Sequence, residues 1–208
     1  DLLEDIGTGH NIVATVYVEN GSMYRADGPA IMRPIGEVEF INGVAAMSAS
    51  GRYGKTRLCS GIVGHAELTL GNGVRPVLEA LIAAGNGRFR GIRYGVGYDP
   101  GITRAAGRQA PPHLLLDPTF RKGFTHLEPL GLSFDAWQYY PQLPELTDLL
   151  RAFPNTNVIL GHAGGPLGVP PHEKREEVFS IWRDHIQELA QFPNLSIKVG
   201  GFGMPVFG

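Results

Sequence analysis

Residues 157–166 read NVILGHAGGP. Four residues, 157–160, are a near-continuous apolar run. Then come a glycine, a histidine, and a small-residue turn closed by proline. An apolar run this short, bounded by glycine, reads as a strand covered on both faces, which is the mark of a parallel sheet. Five other runs have the same character: 11–19 (NIVATVYVE), 60–68 (SGIVGHAEL), 89–96 (FRGIRYGV), 132–137 (LSFDAW) and 195–201 (LSIKVGG). Helical stripes lie between them. Val74, Val77, Leu78, Leu81 and Ile82 repeat at helical spacing, as do Leu146, Leu149, Leu150 and Phe153, and Val178, Ile181, Trp182, Ile186 and Leu189. Val38, Ile41, Val44 and Ala45 form a weaker stripe. Strand, helix, strand in steady alternation predicts an α/β chain of βα units.

Composition narrows the function classes. The chain holds 29 glycines and 16 prolines in 208 residues, about a fifth, which is loop-rich but short of the roughly 25–30% of disordered low-complexity chains. With 18 basic and 20 acidic residues the net charge is −2, which speaks against a dedicated nucleic-acid binder. A single cysteine, Cys59, excludes a disulfide framework and a multi-cysteine metal site. Cys59 itself reads as a small core residue. No apolar run reaches the length of a membrane span, and no signal peptide is visible, so a soluble cytoplasmic domain is expected. The chain lacks an initiating Met and opens on DLLEDIG, a helix already under way. We therefore expect one barrel-like domain over 1–208, short at both ends.

Each predicted strand carries a charged or titratable residue near its C-terminal end: Glu19, His65, Arg93, Asp135, His162 and Lys198. In parallel α/β folds those ends gather on one face, where sites are built. His162 can act as acid, base or ligand near neutral pH. An arginine or lysine inside an apolar run, such as Arg93 or Lys198, must be paired or face an anion. Structural roles stay open for each: a core histidine for His162, ion pairs among Glu19, Arg93 and Asp135. His10, His113, His126, His172 and His185 fall in loops or on helix surfaces and read as solvated. Two long connections, 19–34 and 95–131, follow strand ends on the same side. Residues 49–56 (ASGRYGKT) nearly match a phosphate-binding loop, but a helix precedes and a strand follows, the reverse of the required context, so no nucleotide is expected.

The segments VYVE (16–19), GPAIMRPIGEVEF (28–40), GIVGHAEL (61–68), FRGIR (89–93), GLSFDAWQYYPQL (131–143), VILGHAGGP (158–166) and NLSIKVGG (194–201) together resemble the amidohydrolase-2 group of the amidohydrolase superfamily. Within it the chain is most similar to TIM-barrel hydrolases that include sugar-lactone and dicarboxylate-lactone hydrolases. The resemblance implies a (β/α)8 barrel, incomplete here, with the six runs as barrel strands two to seven. It places His162 on the sixth-strand histidine, which assists the hydrolytic water or holds substrate. The family's His-x-His pair and its strand-eight acid have no counterpart, and Asp135, Trp137 and Tyr139 stand where some relatives carry a metal-binding histidine. The expected activity is hydrolysis of a small anionic or hydroxylated substrate, a lactone or ester. His162 and Asp135 would be catalytic; Glu19, His65, Arg93, Trp137 and Lys198 would bind substrate. A divalent metal, zinc first, is the implied cofactor, with no metal ligands assigned. A small-molecule partner and a homo-oligomer are expected, with no nucleic acid and no membrane. A non-oxidative decarboxylase on the same site, or a non-catalytic barrel fragment serving as a binding or assembly module, are the alternatives.

Overall fold

A computed structural model describes residues 2–102 and 109–208; residues 103–108, within the long 95–131 connection, lie outside the description. The chain divides into two compact units. The first comprises residues 1–67 and 75–92, the second residues 68–74 and 93–208.

In the first unit, α1 (Leu2–Ile6), β1 (Ala14–Val18), α2 (Ile35–Ala49), β2 (Arg57–Gly64) and α3 (Arg75–Gly85) lead into β3 (Phe89–Gly95), whose last three residues belong to the second unit. β1 runs parallel to β2, with Tyr17 beside Ile62 and Val18 beside Val63. β2 runs parallel to β3, with Ile62 beside Phe89 and Gly64 beside Ile92. The core is apolar and tight: Val38, Ile62, Val77, Leu78 and Leu81 are fully buried. A Cβ on Gly64 would come 2.9 Å from the Phe89 ring, so glycine is what lets strand and ring close up. The weak helical stripe at 38–45 becomes the full helix α2. It buries Ile35, Val38, Ile41 and Ala45 yet leaves Phe40 and Met47 exposed, so its apolar residues lie all round and blur the periodicity. Residues 50–56 join the end of α2 to β2 with no helix following, so the near-match to a phosphate loop lacks the helix N-terminus it needs.

In the second unit, α4 (Pro118–Phe124), β4 (Ser133–Trp137), α5 (Leu143–Ala152), β5 (Val158–Leu160), α6 (Arg175–Leu189) and β6 (Leu195–Ile197) follow. β4, β5 and β6 are parallel neighbours in chain order, Ala136 beside Leu160 and Leu160 beside Ile197. An aromatic cluster fills the core. Phe124 meets Phe134 edge-on at 5.1 Å and Phe153 at 4.8 Å, and Phe120 meets Phe134 at 6.1 Å. Removing one such ring costs about 3–5 kcal/mol. The helix α4 lies inside a connection that reads as a proline-rich loop. Its start is local chemistry: the Asp117 carboxylate accepts the Phe120 N–H at 2.8 Å, and Pro118 occupies the first turn, where no N–H is needed. No helix among the described residues is long and apolar enough to cross a membrane.

Candidate active site

β5 stops at Leu160 because the chain reverses its handedness. His162, Ala163, Gly164 and Gly165 all have positive φ, at 48°, 52°, 79° and 64°. For His162 and Ala163 this is strained backbone, of order 1–3 kcal/mol each, of the kind that persists where surrounding contacts over-determine it. Here the contacts are explicit. The Ala163 N–H donates to the Lys198 carbonyl at 2.9 Å and the Gly165 N–H to the His162 carbonyl at 3.0 Å. The Trp182 indole N–H on α6 donates to the Ala163 carbonyl at 2.7 Å. A Cβ on Gly165 would overlap the Gln138 carbonyl, and a Cβ on Gly201 would run into His162 Nδ1. The two glycines thus let the turn close and let the imidazole sit where it does.

Around His162 stand four residues of the second unit. The Trp137 ring meets the imidazole edge-on at 6.3 Å. Lys198, directly after β6, donates its ammonium to Asp135 Oδ2; the lysine side chain is 45% exposed, the aspartate 4%. Arg93 on β3 is half-buried. Burial first, then the positive charges of Arg93 and Lys198, hold the His162 pKa below 6.5. A histidine so placed is neutral at pH 7 and can accept a proton. The buried Asp135 carboxylate holds the Lys198 ammonium in place.

Glu19 and His65 lie in the first unit, each directly after its strand, β1 and β2. The Glu19 N–H donates to the Val63 carbonyl at 2.8 Å. Nearby, Glu37 is 1% exposed, and its Oε1 accepts from the Tyr17 hydroxyl at 2.8 Å and from the Asn20 and Ser22 N–H groups at 3.0 and 3.1 Å. Burial, with the carboxylates of Glu19 and Glu37 close by, pushes Tyr24 up to about 12. The sequence reading does not single out Glu37, because Glu39 two residues on is an exposed carboxylate in the same stretch and nothing local distinguishes the two.

His172 corrects the sequence reading, which took it as solvated. Its side chain is 15% exposed, Nε2 lies 2.8 Å from Asp99 Oδ2, and Nδ1 lies 2.9 Å from the Tyr140 hydroxyl. With its proton on Nε2 the ring donates to the carboxylate and accepts the phenol proton at Nδ1. This chain ties the segments after β3, β4 and β5 together. Gln142 adds a second tie, its Oε1 accepting the N–H groups of Tyr98 and Tyr139.

The sequence pattern of the amidohydrolase family matches residues 3–205. The chain belongs to that family. An uncharacterized protein, y4mH, of Sinorhizobium fredii is 31% identical over 204 residues, covering 98% of this chain and 60% of its own length. An amidohydrolase from Burkholderia multivorans, crystallised with zinc bound, superposes with a TM-score of 0.57 at 22% identity, over 80% of this chain and 50% of its own. Amidohydrolase 2 from Bifidobacterium longum subsp. infantis gives a TM-score of 0.53 at 20% identity, over 100% of this chain and 66% of its own. The chain thus spans between half and two thirds of the length of these relatives. The architecture of this amidohydrolase is an incomplete (β/α)8 barrel, six parallel strands with helices between them.

The zinc of the Burkholderia structure poses a question that the donor set answers. Zinc takes three or four nitrogen, sulfur or oxygen ligands. Among the described residues, no three His, Cys, Asp or Glu side chains come together as a metal site. The Asp135 carboxylate, which holds Lys198, already receives an ammonium. These residues by themselves do not fit a zinc ion.

Proposed function

We propose that this amidohydrolase cleaves a lactone or related ester of a small carboxylic acid, with His162 taking the proton of the attacking water. The observation that carries the proposal is a neutral, half-buried histidine with two cationic side chains close enough to lower its pKa. A neutral imidazole can deprotonate water as the water attacks the acyl carbon. The tetrahedral oxyanion that forms develops its charge near Arg93 and Lys198, and fixed positive charge at such a place commonly accounts for several kcal/mol of barrier lowering. The same two cations suit a substrate carboxylate. Trp137 offers an apolar face for the ring, and the proton held on His162 passes to the leaving alkoxide. In this scheme Asp135 acts by holding Lys198. No step here runs through a metal; zinc is the metal to assay, because a relative was crystallised with it.

A panel of lactones and esters, with and without a free carboxylate and with and without a chelator, tests the proposal on the full-length protein. Saturable hydrolysis that favours carboxylate-bearing lactones supports it. Absence of hydrolysis across the panel with zinc supplied, or carbon dioxide release from carboxylated substrates instead, contradicts it.

A further inference from the structure

At the opposite end of β2 from His65 is a cleft of about 280 Å³ within the first unit, lined by Arg57, Arg88, Arg90, Ser60, Ala45 and Ala49 among others, none of them acidic. Arg57 begins β2, Arg88 precedes β3, and Arg90 is its second residue. Residues 40–66 and 80–92 contain no Asp or Glu at all, so the stretches that build this cleft supply no carboxylate of their own. We propose that the cleft binds a phosphate-type dianion, free or as the phosphate monoester of a small molecule.

Two of the three arginines, Arg88 and Arg90, are held by hydrogen bonds within the protein. Arg88 Nη1 donates to Asn42 Oδ1 at 2.8 Å, and Arg90 Nη1 donates to the carbonyls of Gly87 and Phe89 at 2.7 and 3.0 Å. The turn that brings them round is itself fixed, with Asn86 and Gly87 at φ of 45° and 78°. The facing wall is clamped too. Ser48 Oγ donates to the Thr56 carbonyl and accepts the Leu58 N–H, both at 3.0 Å, which fastens the end of α2 to the start of β2. Guanidinium groups fixed before binding lose little freedom when the anion arrives. Three of them around one space suit a tetrahedral oxyanion with at least three acceptor atoms better than a carboxylate, which one guanidinium fork already satisfies. The volume leaves room for an ester's organic part against Ala45 and Ala49. The ordinary alternative is that these arginines offset the negative C-terminal end of α2. That role needs no ligand.

Isothermal titration of the full-length protein, in a buffer free of oxyanions, separates the two. The probes are inorganic phosphate, glycerol 1-phosphate and acetate. Saturable one-to-one phosphate binding is expected, with acetate much weaker. Arg57→Gln and Arg88→Gln should each weaken binding about tenfold, as loss of one charge-assisted hydrogen bond does. Tighter binding of glycerol 1-phosphate than of phosphate identifies a monoester as the ligand, and equal binding identifies the free ion. Arg88→Lys keeps the charge and loses the fork, so it should weaken binding at an unchanged melting temperature even if the glutamine variants fold poorly. His162→Asn should bind phosphate normally, so the outcome stands whatever becomes of the lactone hydrolysis. No saturable binding of either phosphate probe, or unchanged affinity in the folded variants, overturns the proposal.

Discussion

The Trp137 indole meets the His162 imidazole edge-on, with centroids 6.3 Å apart and planes at 81°. This makes Trp137 a reporter of the histidine's charge, since an imidazolium beside an indole quenches its emission. With burial, Arg93 and Lys198 all lowering the His162 pKa, quenching should set in only below pH 6.5. The step should vanish in His162→Asn. A step at or above pH 6.5, or one that survives the substitution, contradicts the electrostatics described for the site.

The same depression has a consequence for stability. Above pH 6.5 His162 is neutral in both the folded and the unfolded chain and contributes no pH dependence. As the pH falls through 6.5 the unfolded chain takes the proton first, so stability drops until the pH has passed the lower folded value. Wild type minus His162→Asn, measured by denaturant unfolding, should be flat above pH 6.5 and decline below it. A difference that rises in acid would mean that the folded state prefers the imidazolium.

Lys198 and Asp135 should not behave alike when removed. Lys198→Met strands a carboxylate that is 4% exposed, at a cost of order 1–3 kcal/mol, moderated because the lysine is itself 45% exposed. Asp135→Asn with Lys198→Met removes both charges and should restore part of that loss. Lys198→Met should also raise the His162 pKa, by removing one of the two cations that lower it. Thermal unfolding together with the Trp137 quenching titration checks both. A double variant no more stable than Lys198→Met would leave the pair without energetic coupling.

His172→Ala should cost about 2–3 kcal/mol, since it leaves Asp99 and the Tyr140 hydroxyl buried without their shared partner. Tyr140→Phe removes one bond only and should cost about 1 kcal/mol. Denaturant midpoints decide this. Equal, negligible effects would return His172 to the solvated surface where the sequence reading put it.

That misreading shows where legibility ends. The strand at 157–160 could be read because burial on both faces leaves a short apolar run, and the helix at 146–153 because burial on one face leaves a repeat. The helix α4 was hidden because its signal is an Asp117–Pro118 cap inside a connection crowded with prolines. His162 stood out because a strand end and a Gly-Gly turn frame it locally. His172 did not, because its partners lie 73 and 32 residues away and nothing local marks a histidine after Pro170 and Pro171 as buried. The Lys198–Asp135 pair is likewise a long-range fact. The sequence offers Asp135 as an ion-pair candidate, but nothing local marks Lys198 as the cation it receives.

The central claim is that His162 is the base of a hydrolytic reaction and not a packing histidine. Asparagine is the right replacement because it tolerates the positive φ of 48°. The deciding measurement is kcat/KM of the full-length His162→Asn variant on the best lactone of the panel, with its melting temperature recorded alongside. The account predicts a loss of about 10²–10⁴-fold, the usual contribution of a positioned acid–base group, at a melting temperature within a few degrees of wild type. Full turnover with a markedly lower melting temperature would contradict it and make His162 a structural residue.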